Sequence, residues 1–449
     1  MGIEFESVTL GQITKRGGGF IQTGPFGSQL HASDYVPTGV PCIMPANIVD
    51  GTVDLADIAY ISHADAQRLS KHIVKAGDIV YSRRGDVTRK ALIRKHEEGM
   101  FCGTGCLLVR PGKYIDPRYL AYHLSSPWNH EWIIRHAIGA TMPNLNTSIL
   151  GDIPLKIPDL ENQKNIARVL GVFDEKLELN RQINQTLEQM AQALFKSWFV
   201  DFDPVIDNAL DAGNPIPEEL EARAEQRRQF RDAVAQGEAS VPGLPDEIRA
   251  LFPSEFELTD EMGWVPEGWV VSRLDSVLEL IYGKALKKSD RMEGEFPVYG
   301  SGGVNGNHNV SLVDGPGVIV GRKGTVGSLY WEDKPFHPID TVFYVKSKEG
   351  YPLQYCLYLL KNLGLEHMNT DAAVPGLNRN NAYFIKICVP DFDLIDFFSK
   401  KVSSMFNKRS LNLENVCFLE NVRDTLLPKL ISGELQIPDA EQQLAAALS

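Results

Sequence analysis

One stretch of the sequence, residues 159–199, constrains the fold more than any other. It contains no proline and one glycine (Gly171), and Pro158 followed by Asp159 supplies a stop for the preceding chain and an N-cap. Apolar residues recur at alternating steps of four and three, with two asparagines in the middle, which is the a/d pattern of a coiled coil. About 40 residues of helix span roughly 60 Å. A helix of that length with one narrow apolar stripe needs a partner helix.

The partner helix lies in the same sequence, because the stretch recurs without a gap after a shift of 232 residues. Pro158-Asp159 aligns with Pro390-Asp391, and a Pro-x-Leu-Asn motif before each helix (Pro143 and Pro375) also aligns. Further upstream the shift grows to 239. Steady drift of this kind is what loop-length differences between two copies of a domain produce. The residues predicted to form the helix–helix or partner interface are Leu170, Phe173, Leu177, Asn180, Asn184, Leu187, Leu194, Trp198, Asn412, Leu419 and Leu426.

The repeat divides the chain into alternating globular and helical parts. Short β-rich runs broken by Gly and Pro predict strands in both globular parts. The apolar stripe of the second helix is less complete, since Arg409 and Arg423 fall on positions that are apolar in the first helix. The predicted parts are a first globular domain (1–158), a long helix (159–200), an acidic insert (201–263), a second globular domain (264–390), a second long helix (391–433) and a flexible tail (434–449).

This layout resembles the specificity (DNA-recognition) subunits of Type I restriction-modification systems. The resemblance is carried by the duplicated architecture and by several motifs, which are residues 23–28 (TGPFGS), residues 77–80 (GDIV), the repeated Pro-x-Leu-Asn and residues 197–204 (SWFVDFDP). It implies an α+β fold with two duplicated β-rich target-recognition domains. Two long antiparallel helices, forming an intramolecular coiled coil, would separate them.

The resemblance also implies a function and partners. The chain would be non-catalytic, and each domain would read one half of a bipartite, asymmetric sequence of double-stranded DNA. The helices would bind two copies of the methyltransferase (modification) subunit, and a restriction/translocase subunit would join that complex. S-adenosylmethionine, ATP and Mg²⁺ would belong to the partner subunits, with no cofactor bound by this chain.

The net charge of −13 is unusual for a DNA-binding protein, but most of the negative charge lies in one segment. Residues 201–262 contain 16 Asp and Glu, five Arg and no Lys, so the rest of the chain carries only −2. A solvated surface helix (Glu218 to about Gln236) and tether between the two halves is favoured for this insert, and a docking surface or an acidic guard beside the DNA remains an alternative. No long apolar run or signal pattern is present, which predicts a cytoplasmic protein.

Catalytic motifs are missing from the sequence. It contains no Walker-type loop, no Asn/Asp-Pro-Pro-aromatic motif, no metal-ligand spacing of His and no CxxC pair, so no metal site is predicted and reduced buried thiols are favoured for the six cysteines. Two other classes stay open: an enzyme with unrecognised motifs, which an assay of the purified chain would reveal, and a coiled-coil adaptor that does not bind DNA.

Candidate DNA-binding residues are basic or amide side chains at matching places in the two copies. Arg83-Arg84-Gly85 and Arg322-Lys323-Gly324 each follow a predicted strand, and Arg or Lys there can reach guanine O6 and N7 or a phosphate. Asparagines in the Pro-x-Leu-Asn loops could read adenine, although Asn is commonly a turn former. The complete set is Lys15, Arg16, Arg83, Arg84, Arg89, Lys90, Asn144, Asn146, Lys284, Lys287, Arg322, Lys323, Asn378 and Arg379.

Overall fold

The computed structural model describes residues 4–139, 143–238, 244–348, 350–368 and 376–448. They belong to two units, and each contains one globular domain and part of each long helix. Unit 1 comprises Met1–Asn180 and Glu414–Ser449, and unit 2 comprises Arg181–Leu413. Pro375 of the second Pro-x-Leu-Asn motif lies outside the described residues.

The globular part of unit 1 consists of short strands and helices, and the strands predicted from its β-rich runs are present. In chain order the elements are β1 (Glu6–Thr9), α1 (Leu10–Arg16), β2 (Phe20–Thr23), β3 (Tyr35–Val36), β4 (Val40–Ile43), β5 (Ile48–Val49), β6 (Thr52–Val53), β7 (Ala59–Ile61), α2 (His63–Arg68), β8 (Ile79–Ser82), β9 (Lys90–Leu92), β10 (Phe101–Cys102), β11 (Cys106–Arg110), α3 (Pro117–Leu124), α4 (Pro127–His136), α5 (Thr147–Gly151) and β12 (Pro154–Ile157).

A long helix and the elements of unit 2 follow. These are α6 (Leu160–Phe199), α7 (Asp203–Ala212), α8 (Glu218–Ala235), α9 (Asp246–Arg249), β13 (Phe256–Thr259), β14 (Gly263–Pro266), β15 (Val270–Arg273), β16 (Leu278–Tyr282), β17 (Phe296–Gly300), β18 (Gly303–His308), β19 (Gly317–Gly321), β20 (Leu329–Glu332), β21 (His337–Pro338), β22 (Val342–Ser347), α10 (Leu353–Lys361), α11 (Arg379–Tyr383), β23 (Lys386–Val389), α12 (Phe392–Ser432) and α13 (Ile437–Leu448).

Sheet topology confirms the duplication. Unit 1 has an antiparallel sheet of order β2-β11-β8-β9, and unit 2 has one of order β16-β22-β19-β20. An antiparallel ribbon recurs as β1-β12 and β15-β23. A second sheet contains the parallel pair β10-β4 in unit 1 and the parallel pair β17-β21 in unit 2. Unit 1 adds β3, the β5-β6 hairpin and α2, which account for its longer sequence before β8.

In unit 1 the first part of α6 packs against the last part of α12. Asp159 caps α6, since its carboxylate accepts a hydrogen bond from the Asn162 backbone N–H at 2.9 Å, as predicted. The predicted apolar positions are buried together with the globular domain. This cluster includes Leu170, Phe173 and Leu177 of α6, Leu419 and Leu426 of α12, and Tyr119 and Leu120 of α3.

In unit 2 the rest of α6 packs against the first part of α12. Contacts run from Asn184–Asn412 (2.9 Å between Oδ1 and Nδ2) through Glu188–Arg409 (3.6 Å) to Phe195–Phe398 (5.5 Å between ring centroids). Residue numbers rise along α6 and fall along α12, so the two helices are antiparallel. Amide–amide pairing of Asn184 with Asn412 explains how the coiled coil tolerates polar residues in its middle.

The arginines that weaken the apolar pattern of α12 are paired with carboxylates of α6. In unit 1, Asp174 accepts hydrogen bonds from Arg423 at 3.1 Å and from the Tyr122 hydroxyl of α3. In unit 2, Glu188 lies 3.6 Å from Arg409 and accepts from Tyr358 (3.3 Å) and Lys361 of α10. One carboxylate of α6 therefore links α12 to the globular domain in each unit.

Toward the end of α6 the buried residues differ from the predicted interface residues. Phe195, which was not predicted to lie in the interface, is buried with 1% of its surface exposed. Leu187 and Leu194, which were predicted there, are only half-buried. The other buried residues of this part of α6 are Ala191, Trp198 and Phe199. This part of α6 packs against both α12 and the globular domain, which requires a wide apolar face with a period of 3.6 rather than a narrow a/d stripe.

The acidic insert is a helical module within unit 2. Asp203, Asp207 and Asp211 of α7 pair with Arg223, Arg227 and Arg231 of α8 at a constant offset of 20 residues. Because both members of the series advance by four, α7 and α8 are parallel. Arg249 of α9 also pairs with Asp211. The insert thus uses much of its Arg content internally, and its exposed face is left acidic.

The C-terminal segment is a helix, so the prediction of a flexible tail at 434–449 is wrong. Ala440 and Leu444 of α13 are buried in the core of unit 1, and Glu441 pairs with Arg168 of α6. Apolar residues at positions 437, 440, 444 and 447 repeat at helical spacing, which was the available signal. In the part of the chain that the structure describes, no helix has both the length and the apolarity needed to cross a membrane.

The packing of α6 in unit 2 generates a stability prediction. Phe195→Ala should cost about 3–5 kcal/mol because it leaves a cavity among Phe199, Tyr355, Tyr358 and Phe398. Met190→Ala, at a position that is 51% exposed on the same helix, should change stability by less than about 0.5 kcal/mol. Urea denaturation followed by circular dichroism measures both. Equal midpoints for Phe195→Ala and the wild type would contradict this placement of α6.

Candidate nucleic-acid interface

Three of the predicted basic residues of unit 1, Arg83, Arg84 and Arg89, lie in a tight turn between β8 and β9, which we call the first basic turn (residues 83–89). Gly85 adopts a φ of +77°, a left-handed conformation that disfavours other residues. Val87 is buried beneath the turn, whereas Arg84 is exposed. The Arg83 backbone N–H donates to the Gly105 carbonyl at 2.8 Å. The backbone of the turn is thus fixed, with Arg84 and Arg89 exposed and Arg83 half-buried.

The second basic turn (residues 322–328), between β19 and β20, repeats this conformation. Gly324 has a φ of +86°, Val326 is buried and Lys323 is exposed. The Arg322 backbone N–H donates to the Thr341 carbonyl at 2.9 Å, in the manner of Arg83. The sequence repeat therefore corresponds to a repeat of local structure.

Each basic turn meets the Pro-x-Leu-Asn loop of its own unit. The Leu145 N–H donates to the Arg83 carbonyl at 2.9 Å, and the Leu377 N–H donates to the Arg322 carbonyl at 2.8 Å. Bridges of the β type join Arg84 to Asn144 and Lys323 to Gly376. The structure thus brings together two motifs that are about 60 residues apart in unit 1 and about 55 apart in unit 2.

The loop asparagines have structural roles. Asn146 caps α5, accepting a hydrogen bond from the Ile149 N–H at 2.8 Å, and Asn378 caps α11, accepting from the Asn380 and Asn381 N–H groups. Asn144 is half-buried and its Oδ1 lacks a hydrogen-bond partner among the described residues. Of the three, Asn144 alone keeps a side-chain acceptor free for another role.

Exposed aromatic residues lie beside the basic turns and were not in the set of predicted DNA-binding residues. The Arg83 guanidinium lies 5.8 Å from the ring of Phe26, which is 52% exposed. Arg322 and Arg379 lie 5.1 and 5.0 Å from the ring of Tyr282, which is 47% exposed. The available signal was an aromatic residue one or two positions from Gly24 or Gly283. A Cβ at either glycine would lie about 2 Å from a backbone oxygen, so the chain must pass close to its neighbour there.

Several other candidate residues are exposed and do not stack on an aromatic ring among the described residues. Arg16 forms an ion pair with Glu6 at 2.9 Å, which holds the pKa of that carboxyl below its usual range, mainly through the hydrogen bond. Arg89 pairs with Asp86 at 3.2 Å within the first basic turn. Lys15, Lys284 and Lys287 are exposed and form no ion pair among the described residues.

Lys90 does not fit its predicted DNA-binding role. It is the first residue of β9 and is 8% exposed, with its ammonium 5.9 Å from the Tyr81 ring centroid. Burial lowers the pKa of Lys90 to about 8. The strand places this side chain on its buried face, so it is part of the domain interior.

The described residues contain no cluster of three or more His, Cys, Asp or Glu side chains that could hold a metal ion. Five of the cysteines are buried free thiols, and Cys417 on α12 is exposed. Burial raises the pKa of the Cys42, Cys356 and Cys388 thiols to about 12, which keeps them protonated and unreactive.

The two globular domains with their basic turns match a known family. The Type I restriction modification DNA specificity domain matches residues 5–189 and 266–390, which is more than half of the chain. The chain belongs to this family. Membership confirms the resemblance inferred from the duplicated motifs, and it agrees with the prediction that a specificity subunit recognises DNA rather than catalysing a reaction.

Individual relatives are similar to this chain over most of their own length. The Type I restriction enzyme HindI specificity subunit of Haemophilus influenzae is 29% identical over 82% of this chain and 88% of its own. The MjaIX specificity subunit of Methanocaldococcus jannaschii is 24% identical over 90% and 89%. The crystal structure of a Type I S subunit from M. genitalium covers 95% of this chain and 96% of its own, with a TM-score of 0.50 and 19% identity, a likeness of fold.

Burial of Lys90 generates a pH-dependent prediction. Its folded pKa of about 8 lies below the value of 10.5 for an exposed lysine, so the cost of burying the charge is fully present below pH 8 and disappears as the pH rises toward 10.5. Lys90→Met should therefore stabilise the protein at pH 7 by a free energy on the order of 3 kcal/mol, and by less at pH 10.

Thermal melts of the wild type and of Lys90→Met at pH 7 and pH 10 measure this effect. Lys15→Met, which removes the same charge from an exposed position of α1, is the control and should leave the melting temperature unchanged. A Lys90→Met variant that is less stable than the wild type at pH 7 would show that the lysine is charged and stabilised in the folded protein.

Proposed function

We propose that each globular domain of this DNA specificity subunit recognises one half of a bipartite, asymmetric double-stranded DNA sequence. The observation that carries the proposal is the repetition of the basic turn, with the same positive-φ glycine and the same backbone bond to the Pro-x-Leu-Asn loop in both units. A rigid turn that presents Arg and Lys can place their donors at base edges or phosphates without a large loss of conformational entropy. Two such turns with different neighbouring side chains suit two different half-sequences.

We also infer that the two long helices bind two copies of a methyltransferase subunit, to which a restriction/translocase subunit is added. Leu179 of α6 and Leu411 of α12 occupy matching positions of the repeat, and 46% and 57% of their surfaces are exposed. Large apolar side chains exposed on a helix are typical of partner contacts. Matching apolar positions on the two helices support two equivalent partner sites.

In this proposal the chain directs chemistry that other subunits perform in the cytoplasm. S-adenosylmethionine, ATP and Mg²⁺ would be bound by the methyltransferase and restriction subunits. The contribution of this chain is the choice of DNA sequence.

Damage to one basic turn should affect one half-sequence. Arg83→Ala with Arg84→Ala, and Arg322→Ala with Lys323→Ala, should each weaken recognition of a different half. Loss of a base contact should cost about 1–3 kcal/mol at particular positions, because base-edge hydrogen bonds are lost. The measurement is a binding titration of the assembled methyltransferase complex against duplexes that are randomised in one half at a time.

The control for these variants is Lys400→Ala with Lys401→Ala, which removes two charges from the exposed face of α12. It should leave both half-sequence preferences unchanged. If both turn variants altered preference at the same base pairs, the two domains would not be independent readers. If neither altered affinity, the turns would not contact DNA.

The partner proposal has its own test. Leu179→Gln and Leu411→Gln should each remove one bound methyltransferase subunit, because an exposed apolar contact becomes polar without loss of helix propensity. Native mass spectrometry of the complex counts the subunits, and Leu258→Gln on β13, where the leucine is 66% exposed, is the control. A double variant that retains both methyltransferase copies would exclude these leucines from the interface.

A further inference from the structure

Unit 2 contains a cluster of one tyrosine and two arginines that has no full counterpart in unit 1. Tyr282, the last residue of β16, is 47% exposed. The guanidinium carbons of Arg322 and Arg379 lie 5.1 and 5.0 Å from the centroid of its ring. Arg322 also lies 5.9 Å from the ring of Phe343, and Arg379 lies 5.8 Å from the ring of Tyr383. Two cations from separate segments thus converge on one aromatic ring.

Neither guanidinium is neutralised by a carboxylate within the described parts of the chain. The Nε atoms of both Arg322 and Arg379 are buried and lack a hydrogen-bond acceptor. Each guanidinium therefore keeps a positive charge and an unpaired donor beside an aromatic ring, without a counterion among the described residues. An external acceptor bound at this cluster would supply the missing partner.

The cleft beside the cluster has a volume of about 480 Å³ and mixed charge. Tyr282, Arg379 and Tyr383 line it together with Lys348, Glu279 and Asp275. The Asp275 carboxylate is paired with Arg273 at 3.1 Å, whereas Glu279 is exposed and has no such partner among the described residues. A free carboxylate repels a phosphate but accepts a hydrogen bond from cytosine N4, and guanidinium groups donate to guanine. Mixed charge therefore favours a base-pair edge over a phosphate.

We propose that Arg322 and Arg379 each recognise a guanine in the DNA half-sequence bound by unit 2, and that Tyr282 is the positioning residue for both. This inference rests on the proposed DNA-reading function of the domain. Stacking on an aromatic ring fixes the plane of a guanidinium and reduces the entropy that it loses on binding. The outer N–H groups of the guanidinium fork can then donate two parallel hydrogen bonds to guanine O6 and N7.

A comparison with unit 1 shows why two arginines of this kind are present in only one of the two domains. Arg83 matches Arg322 and has an aromatic neighbour in Phe26, at 5.8 Å. The residue that matches Arg379 in the repeat is Thr147, which has no guanidinium. The guanine contact of Arg379 therefore belongs to unit 2 alone, at the start of a short helix (α11) that is capped by an asparagine in the same way as α5 of unit 1.

The test selects bound duplexes from a random pool with the assembled methyltransferase complex. The wild-type complex should enrich two guanines in one half-sequence. Arg379→Lys and Arg322→Lys, which keep the charge but lose the fork, should each lower the preference at one guanine by roughly 5- to 150-fold. Tyr282→Ala should reduce the preference at both guanines, whereas Tyr282→Phe, which keeps the ring, should retain it.

A second readout separates bases from phosphates. Binding of a fixed enriched duplex at several salt concentrations should give the same salt slope for the wild type and Arg379→Lys, and replacement of a guanine by 7-deazaguanine should weaken the wild type more than Arg379→Lys. Lys334→Ala, which removes an exposed charge after β20 and lies outside the predicted DNA-binding set, is the control for general loss of positive charge.

Three outcomes overturn the inference. Unchanged guanine preference in Arg379→Lys and Tyr282→Ala excludes the cluster from base recognition. Uniform weakening on all duplexes in Arg379→Ala, with a salt slope lower by about one, assigns the cluster to phosphates. A wild-type complex that binds DNA but enriches no sequence overturns the proposed function as well. This outcome is seen in the wild type, whereas the first two are seen only in the variants.

Discussion

Burial of one face of each long helix against a globular domain is the interaction on which both units depend. A helix of 40 residues with a polar surface and one apolar stripe gains most of its stability from such packing. In unit 1 the buried face carries Phe173 and Leu419, and in unit 2 it carries Phe195 and Phe398. The carboxylates of Asp174 and Glu188 add directional contacts, because each pairs with an arginine of α12 and a tyrosine of the globular domain. Apolar area stabilises the packing, and these ion pairs help to fix its register.

This rigid packing separates the scaffold of each domain from the side chains that it presents. The backbone bonds from the Leu145 and Leu377 N–H groups hold the basic turns in the same conformation in both units. Side chains around the turns differ, with Thr147 in one unit where Arg379 stands in the other. With such an arrangement, a change of exposed residues can alter recognition without changing the core. The acidic insert lies within unit 2, where the predicted charged helix is present as α8 and is held to α7 by ion pairs in a folded module.

Local and periodic features of the fold were predictable from the sequence, and contacts between distant residues were not. The 232-residue repeat and the helix periodicity located α6 and α12, and the glycines placed the basic turns between strands. The partners of Arg409 and Arg423, the aromatic support of Arg322 and the burial of Lys90 depend on residues far away in the chain. Phe195 is buried where Leu194 was predicted to be, because α6 packs against both α12 and the globular domain there. Helix α13 was missed because its short apolar pattern follows Gly433, which marks the end of α12.

Mapping N6-methyladenine in the DNA of cells that express this chain with its methyltransferase subunit tests the central claim most directly. Two copies of a reading domain in one chain require that every methylated site contain two short defined sequences, different from each other and separated by a constant number of unspecified base pairs. Methylation at a single continuous sequence, or at two halves that are copies of each other, would contradict the assignment of one half-sequence to each domain.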